Sequence, residues 1–350
     1  MQAKTKRLAG VHAACVMAAV LAPVGAAGHA YAACDKKDVL GVSRTITLDT
    51  AGGKRVGGLQ YGDSDLLKDR EVVLTFDDGP LPRYTDRVLA ALKAQCTKAT
   101  FFMVGRMAVA YPDTVREVEA AGHTIASHTW SHPNLGHRSA RKAGGEIELG
   151  ISTVQKAAAN PIAPFFRFPY LADPRSMVAY AKSRDIGVFS IDIDSYDYKT
   201  KAPEKVYSTI MSQLRKRGKG IMLFHDIQRS TAFALPRLLD TLQREGYKIV
   251  HIVPKTPVKT LADFDATAAD LVAKRRTQVA AGEIDGGPFE TAGPASRPRI
   301  AETSKSSNAT RVVLNSKNTG PILNIAPPQT PTPVHREAEK KDWRRAIWGN

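Results

Sequence analysis

Asp77 and Asp78 stand side by side directly after an apolar run, Val72–Phe76. Adjacent carboxylates repel, so pairing them is costly unless a cation or a shared proton joins them. Gly79 and Pro80 follow and supply the turn that would hold the pair at a strand tip; a solvated turn of common turn residues is the plain alternative. His128 and His132 lie at i and i+4. On one helical turn that spacing lets two imidazoles face one way and chelate one metal ion. Pro133 disfavours helix at His132, so the turn must be short; two unrelated surface histidines are the alternative. Arg167 interrupts an apolar run that ends at Tyr170. If buried, its charge requires a carboxylate partner; if it leaves the strand end for water, it requires none. Asp192, Asp194 and Asp197 cluster after another apolar run, and His225 and Asp226 close the next.

The elements that must position these residues show in the patterning. From Glu71 to about Pro254, seven apolar runs of strand length alternate with six amphipathic stretches. The runs are Val72–Phe76, Thr100–Val104, His123–Ala126, Phe165–Phe168, Gly187–Ile193, Gly220–Phe224 and Lys248–Val253. Helices are expected over Thr85–Gln95, Asp113–Ala121, Ala140–Ala159, Pro174–Arg184, Pro203–Arg217 and Leu235–Glu245. The alternation predicts an α/β fold, either a (β/α) barrel or a doubly wound parallel sheet. Continuous apolar strands fit parallel pairing with both faces covered. Five of these strands carry acids, Arg or His at their C-terminal ends, and in parallel α/β folds those ends converge on one mouth.

With these motifs in order, the chain resembles the polysaccharide deacetylases of the NodB-homology type, carbohydrate esterase family four. The resemblance rests on Thr75-Phe-Asp-Asp-Gly-Pro80, Ser127-His-Thr-Trp-Ser-His-Pro133, Arg167-Phe-Pro-Tyr170, Asp194-Ser-Tyr-Asp-Tyr198 and Leu223-Phe-His-Asp226. It covers roughly residues 75 to 226 and neither terminus. The resemblance implies a distorted (β/α) barrel of about seven parallel strands with one divalent metal at its mouth. It implies Asp78, His128 and His132 as metal ligands, Asp77 as base and Arg167 as the group that keeps Asp77 ionised and oriented. It implies His225 as general acid, oriented by Asp197. The Tyr170 backbone N–H would help hold the oxyanion, Leu223 would line the acetyl pocket, and Tyr198 would touch substrate. The order of base and ligand in the Asp77–Asp78 pair rests on the family pattern alone. The ligand set suits Zn2+, and Co2+ or another divalent ion also accepts it. Carbonyl chemistry asks for the same inventory: an amide is a poor electrophile and needs a Lewis acid, a group to take a proton from water and another to protonate the leaving amine. Two positions depart from the family, Leu171 where Gly is common and Tyr198 where Trp is frequent. The implied reaction is N-deacetylation of N-acetylhexosamine units in peptidoglycan, a chito-oligosaccharide or an exopolysaccharide. The alternatives are an O-acetyl esterase and a non-catalytic glycan-binding envelope protein.

The rest of the chain sets the boundaries. In 350 residues with 43% hydrophobic content there is enough apolar matter for a sizeable core, which excludes a wholly disordered protein. One long apolar stretch excludes a multi-span membrane protein, and three cysteines exclude a disulfide scaffold. Lys4, Lys6 and Arg7, the run Leu8–Ala27 and the small residues Ala30 and Ala32 read as a signal peptide over residues 1–32, implying a periplasmic or secreted product; an uncleaved membrane anchor and a lipidated Cys34 are the alternatives. Cys34 and Cys96 then remain and are expected to pair. Residues 33–70 read as an N-terminal extension, 71–255 as the deacetylase domain, 256–281 as one further helix and 282–350 as a low-complexity, disordered tail. The net charge of +16 has no accompanying nucleic-acid motif or stacking aromatics, so no nucleic-acid partner is expected. Attraction to anionic envelope polymers fits better, with the basic Trp343–Trp348 segment as a docking end; an ordinary solvated surface and a fortuitous sticky end are the plain alternatives.

Overall fold

The computed structural model describes residues 36–62 and 65–281. The expected signal peptide, Cys34 and the expected tail lie outside these residues. Ten strands occur among them: β1 Arg44–Leu48, β2 Arg55–Val56, β3 Glu71–Asp77, β4 Thr100–Met103, β5 Thr124–Ser127, β6 Phe165–Phe166, β7 Gly187–Phe189, β8 Ile193–Asp194, β9 Gly220–His225 and β10 Lys248–Pro254. The helices are α1 Gly58–Tyr61, α2 Pro82–Ala94, α3 Gly105–Ala110, α4 Pro112–Ala120, α5 Ala140–Ala157, α6 Arg175–Ser183, α7 Pro203–Arg217, α8 Arg229–Arg244 and α9 Ala262–Ala280.

Every ladder is parallel. The ring runs β8-β9-β3-β4-β5-β6-β7. It is a barrel with one break, between β7 and β8, where the single expected strand Gly187–Ile193 bends at Ser190–Asp192. β2 pairs with β7 at that break. β10 pairs with the first residues of β3 and carries β1 on its other edge. Thr124 Oγ1 donates to Ile252 O at 2.7 Å, tying β10 to the start of β5.

The site strands are mostly apolar because both faces are covered. In β3, Val72, Leu74 and Phe76 pack with Phe101, Phe224, Val206 and Leu238 between strands and helices. Val73 packs with Phe102, Phe189 and Ile221 in the second cluster, inside the barrel. Thr75 and Asp77 share the inward parity of Val73 and carry polar groups to the upper end of the barrel. In β6 and just after it, Phe165 and Arg167 turn inward while Phe166 and Phe168 pack with Ile147 and Met177 outside. Helix α8 begins at Arg229, earlier than the expected Leu235, and runs through Pro236. The buried stripe Ala232, Leu235, Leu238, Leu239 and Leu242 spans the proline, so packing outweighs the one lost backbone bond. The expected helix beyond residue 256 forms as α9 and lies against α5. Cys96 is disulfide-bonded; the expected partner falls outside the described residues.

Candidate active site

β3 ends on Asp77, and Asp78 follows in a left-handed conformation at φ 74° that turns its carboxylate back over the strand ends. Both are buried. Gly79 permits this turn: a Cβ there would lie 2.2–2.5 Å from the Asp226 carboxylate. After β5, residues 128–132 form a turn and not the helical turn that the i, i+4 spacing suggests. Thr129 and His132 are left-handed, at φ 68° and 59°, and the His132 N–H donates to Thr129 Oγ1 at 2.9 Å. Pro133 blocks the helix, and the tight turn brings both imidazoles to one side all the same, ring centres 4.9 Å apart.

His128, His132 and Asp78 converge. Their ligating atoms lie within 4.8 Å of one another. The His128 and His132 Nε2 atoms stand 3.5 and 3.2 Å from Asp78 Oδ1. Two donors each about 2.1 Å from a tetrahedrally bound ion are roughly 3.4 Å apart. Asp78 Oδ1 is buried without a hydrogen-bond partner, which for a carboxylate oxygen is costly unless a cation takes that place. His128 Nδ1 donates to Arg167 O at 2.7 Å, leaving Nε2 as the unprotonated, outward donor atom. Burial holds His128 well below the usual imidazole range, and it lowers His132 too, against the opposing Asp78 charge. The residues present therefore fit a divalent ion.

Arg167 is fully buried and does have the carboxylate partner that burial requires. Its Nη1 donates to Asp77 Oδ1 at 2.7 Å and to Thr75 Oγ1 at 2.9 Å, Nη2 donates to Ser190 O at 3.1 Å, and the guanidinium sits 4.3 Å over the Phe102 ring. Burial raises the Asp77 carboxyl to about 6, against the pull of the Arg167 and His225 charges. On the far side of Asp78, His225 Nδ1 donates to Asp197 Oδ1 at 2.7 Å, and the His225 N–H donates to Asp197 Oδ2 at 2.8 Å. Burial opposes the imidazolium, yet the Asp197 charge and bond raise His225 to about 10. Burial also opposes the Asp197 carboxylate, yet His225 and the Thr231 hydroxyl hold it below its ordinary value. His225 Nε2 faces the cluster, 4.0 Å from Asp78 Oδ2.

The residues assigned to substrate line the same mouth. Tyr170 is left-handed at φ 63°, its ring centre is 4.7 Å from that of His132, and its hydroxyl donates to His132 O at 3.2 Å. Leu223 lies on β9 beside Asp194 of β8. The Tyr198 ring meets His225 edge-on at 5.6 Å, and its hydroxyl donates to Asp194 Oδ2 at 3.2 Å. The ten residues to which the resemblance gives a role thus lie around one cluster, whereas Asp192 points elsewhere and accepts from the Gly58 N–H and Arg217 Nη2. Ser190 and Thr231 were not singled out, because isolated hydroxyls carry no signal until their partners are known.

A family model described as polysaccharide deacetylase matches residues 65–188. A chitooligosaccharide deacetylase of Azorhizobium caulinodans is 33% identical over 159 residues, covering 44% of this chain and 73% of that protein. The chain belongs to the polysaccharide deacetylase family. A chitooligosaccharide deacetylase of Bradyrhizobium is 29% identical over 209 residues, 56% of this chain and 93% of the relative. The peptidoglycan-N-acetylglucosamine deacetylase PgdA of Listeria monocytogenes is 31% identical over 186 residues, and the match spans only 38% of its length. Among solved structures, the peptidoglycan deacetylase Bd3279 of Bdellovibrio bacteriovorus superposes with a TM-score of 0.55 at 32% identity, covering 66% of this chain and 64% of that one. The deacetylase fold is therefore common to this chain and a solved relative.

Proposed function

We propose that this protein is an exported, metal-dependent hydrolase that removes the N-acetyl group from N-acetylhexosamine units of a polysaccharide and releases acetate. The observation that carries the reading is the buried Asp78–His128–His132 cluster set between a carboxylate held by arginine and an imidazolium held by aspartate. Asp78, His128 and His132 would hold the ion, with zinc the best match to two imidazoles and one carboxylate. When bound, the ion supplies the Lewis acidity that an unreactive amide carbonyl needs. Asp77 takes the proton from the attacking water, and Arg167 fixes the carboxylate's direction while the Thr75 hydroxyl fixes the guanidinium. His225 gives its Nε2 proton to the leaving amine, with Asp197 fixing the tautomer through Nδ1. The Tyr170 amide would share the developing negative charge. Peptidoglycan and chito-oligosaccharides, the substrates named for the relatives, are the first glycans to try. The basic and apolar residues 4–27 support the export part of the reading.

The test is acetate release from chito-oligosaccharides and from peptidoglycan, with and without a chelator, followed by zinc or cobalt add-back. Chelator-sensitive release supports the reading. Release that the chelator leaves untouched sinks it. The same assay separates amide from ester chemistry. His225→Ala should lower amide cleavage by about 10²–10⁴-fold, yet should affect 4-nitrophenyl acetate much less, because a phenolate leaves without protonation. Equal losses on both would remove His225 from the acid role.

A further inference from the structure

The segment ahead of β3 does more than close the barrel. Across the break between β7 and β8, the Leu59 N–H donates to Ile191 O at 2.9 Å and the Gly58 N–H to Asp192 Oδ1 at 2.7 Å. Gly57 must be glycine here, since a Cβ would lie 2.5 Å from the Ser190 carbonyl carbon. The strap ends on Gln60 and Tyr61, which face the loop after β6. Gln60 Nε2 donates to Leu171 O at 2.8 Å and to Asp173 Oδ1 at 2.7 Å, and the Tyr61 hydroxyl donates to Asp173 Oδ2 at 2.9 Å. Gln60 Oε1 accepts from Ser190 Oγ at 2.6 Å, and Ser190 O in turn accepts from Arg167 Nη2 at 3.1 Å. One side-chain amide therefore joins the backbone just after Tyr170 to the residue that anchors the Asp77-binding guanidinium.

The loop needs such a hold. Tyr170 and Leu171 are consecutive left-handed residues, at φ 63° and 52°, and neither is glycine. Side chains with a Cβ keep that conformation only where the surroundings impose it. The Tyr170 hydroxyl on His132 O fixes one end. The Gln60 amide on Leu171 O fixes the other.

We propose that Gln60 is a positioning residue for deacetylation, holding the Tyr170–Leu171 backbone, and with it the Tyr170 amide, in register with the Arg167–Asp77 pair. This deepens the functional reading above and rests on it. Gln60 precedes the stretch that the family model matches, 65–188.

The test uses the full, zinc-loaded chain. Gln60→Ala should lower kcat by about 10- to 100-fold, because small displacements at a reacting centre cost that much, with KM and zinc affinity nearly unchanged. Gln60→Glu should be worse, since a carboxylate cannot donate to Leu171 O and would face Asp173. Leu171→Gly supplies the decisive background. Glycine takes φ > 0 without a Cβ penalty, so there Gln60→Ala should cost less than about threefold. A strap that only braced the fold would cost the same in both backgrounds, and that result would overturn the proposal. A second readout needs no catalysis: amide hydrogen exchange in Gln60→Ala should rise by about tenfold or more over residues 169–172 while β3 and β9 keep their protection. Unchanged exchange in that segment overturns the proposal, as does faster exchange with an unchanged kcat. If the wild-type chain releases no acetate from any glycan, the functional reading fails on its own, and the exchange arm still decides whether Gln60 holds the loop.

Discussion

At the scale of single residues, the site separates two adjacent aspartates by their partners. Asp77 accepts from Arg167, which Thr75 holds in turn, whereas Asp78 is turned by its left-handed backbone toward two imidazoles. That difference makes a sharp prediction. Asp77→Asn should bind zinc within about tenfold of wild type yet lose about 10²–10⁴-fold in kcat, because it removes a base and spares every ligand. Isothermal titration and acetate release decide it, and loss of zinc in that variant would mean the two roles are exchanged. A second prediction concerns pH. Asp197 raises His225, so the protonated acid survives to higher pH than a free histidine would. Asp197→Asn removes the charge that does this, so the alkaline limb of the kcat/KM profile should move to lower pH. An unmoved limb would show that His225 is not the group whose proton is being lost.

Elements decide which of these residues could be read in advance. The strands that end on or just before Asp77, His128, Arg167 and His225 are legible because a strand covered on both faces is mostly apolar. β1 is not legible: Arg44, Thr45, Ile46 and Thr47 alternate between exposed and half-buried at a sheet edge, and no apolar run marks them. β2 has two residues and α1 four, too short for any periodicity to emerge. The expected strand Gly187–Ile193 splits because the chain must bend to let Ser190 O face Arg167, a long-range contact with no local signature. The rim residues were read as motifs, while Gln60 and Ser190 were not, since their roles exist only once the strap is folded across the break. The illegible β1 is nonetheless tied to the site strand. Arg44 grips Glu71, the first residue of β3, through Nε and Nη2 at 2.8 and 2.6 Å. The paired hydrogen bond to Arg44 holds the Glu71 carboxyl below its ordinary value, although burial opposes it. A depressed carboxyl adds stability above the unfolded-state pKa that is lost as pH falls through the folded one. Glu71→Gln should therefore cost about 2 kcal/mol near neutral pH in urea unfolding, and the gap to wild type should narrow as pH falls into the acid range. A gap that stays constant with pH would mean that packing, not charge, joins β1 to β3.

For the whole molecule the issue is where the positive charge sits. Residues 33–281 contain 37 Lys and Arg against 27 Asp and Glu, whereas residues 282–350 contain ten against seven. An electrostatic pull on an anionic glycan must then come chiefly from residues 33–281, and screening by salt should weaken it. The segment from Trp343 to Trp348 can add something different, because indole rings contribute apolar contact that salt does not screen. Removing residues 282–350 should accordingly leave kcat on soluble chito-oligosaccharides within about twofold, since every rim residue lies between 75 and 226. Co-sedimentation with an anionic wall polysaccharide should persist in the shortened chain at low salt and vanish at high salt. The full chain should keep a salt-resistant fraction, and Trp343→Ala with Trp348→Ala should abolish that fraction alone. If the shortened chain fails to sediment even at low salt, the attraction belongs to the last 69 residues, and the net charge of the barrel plays no part in bringing the enzyme to its polymer.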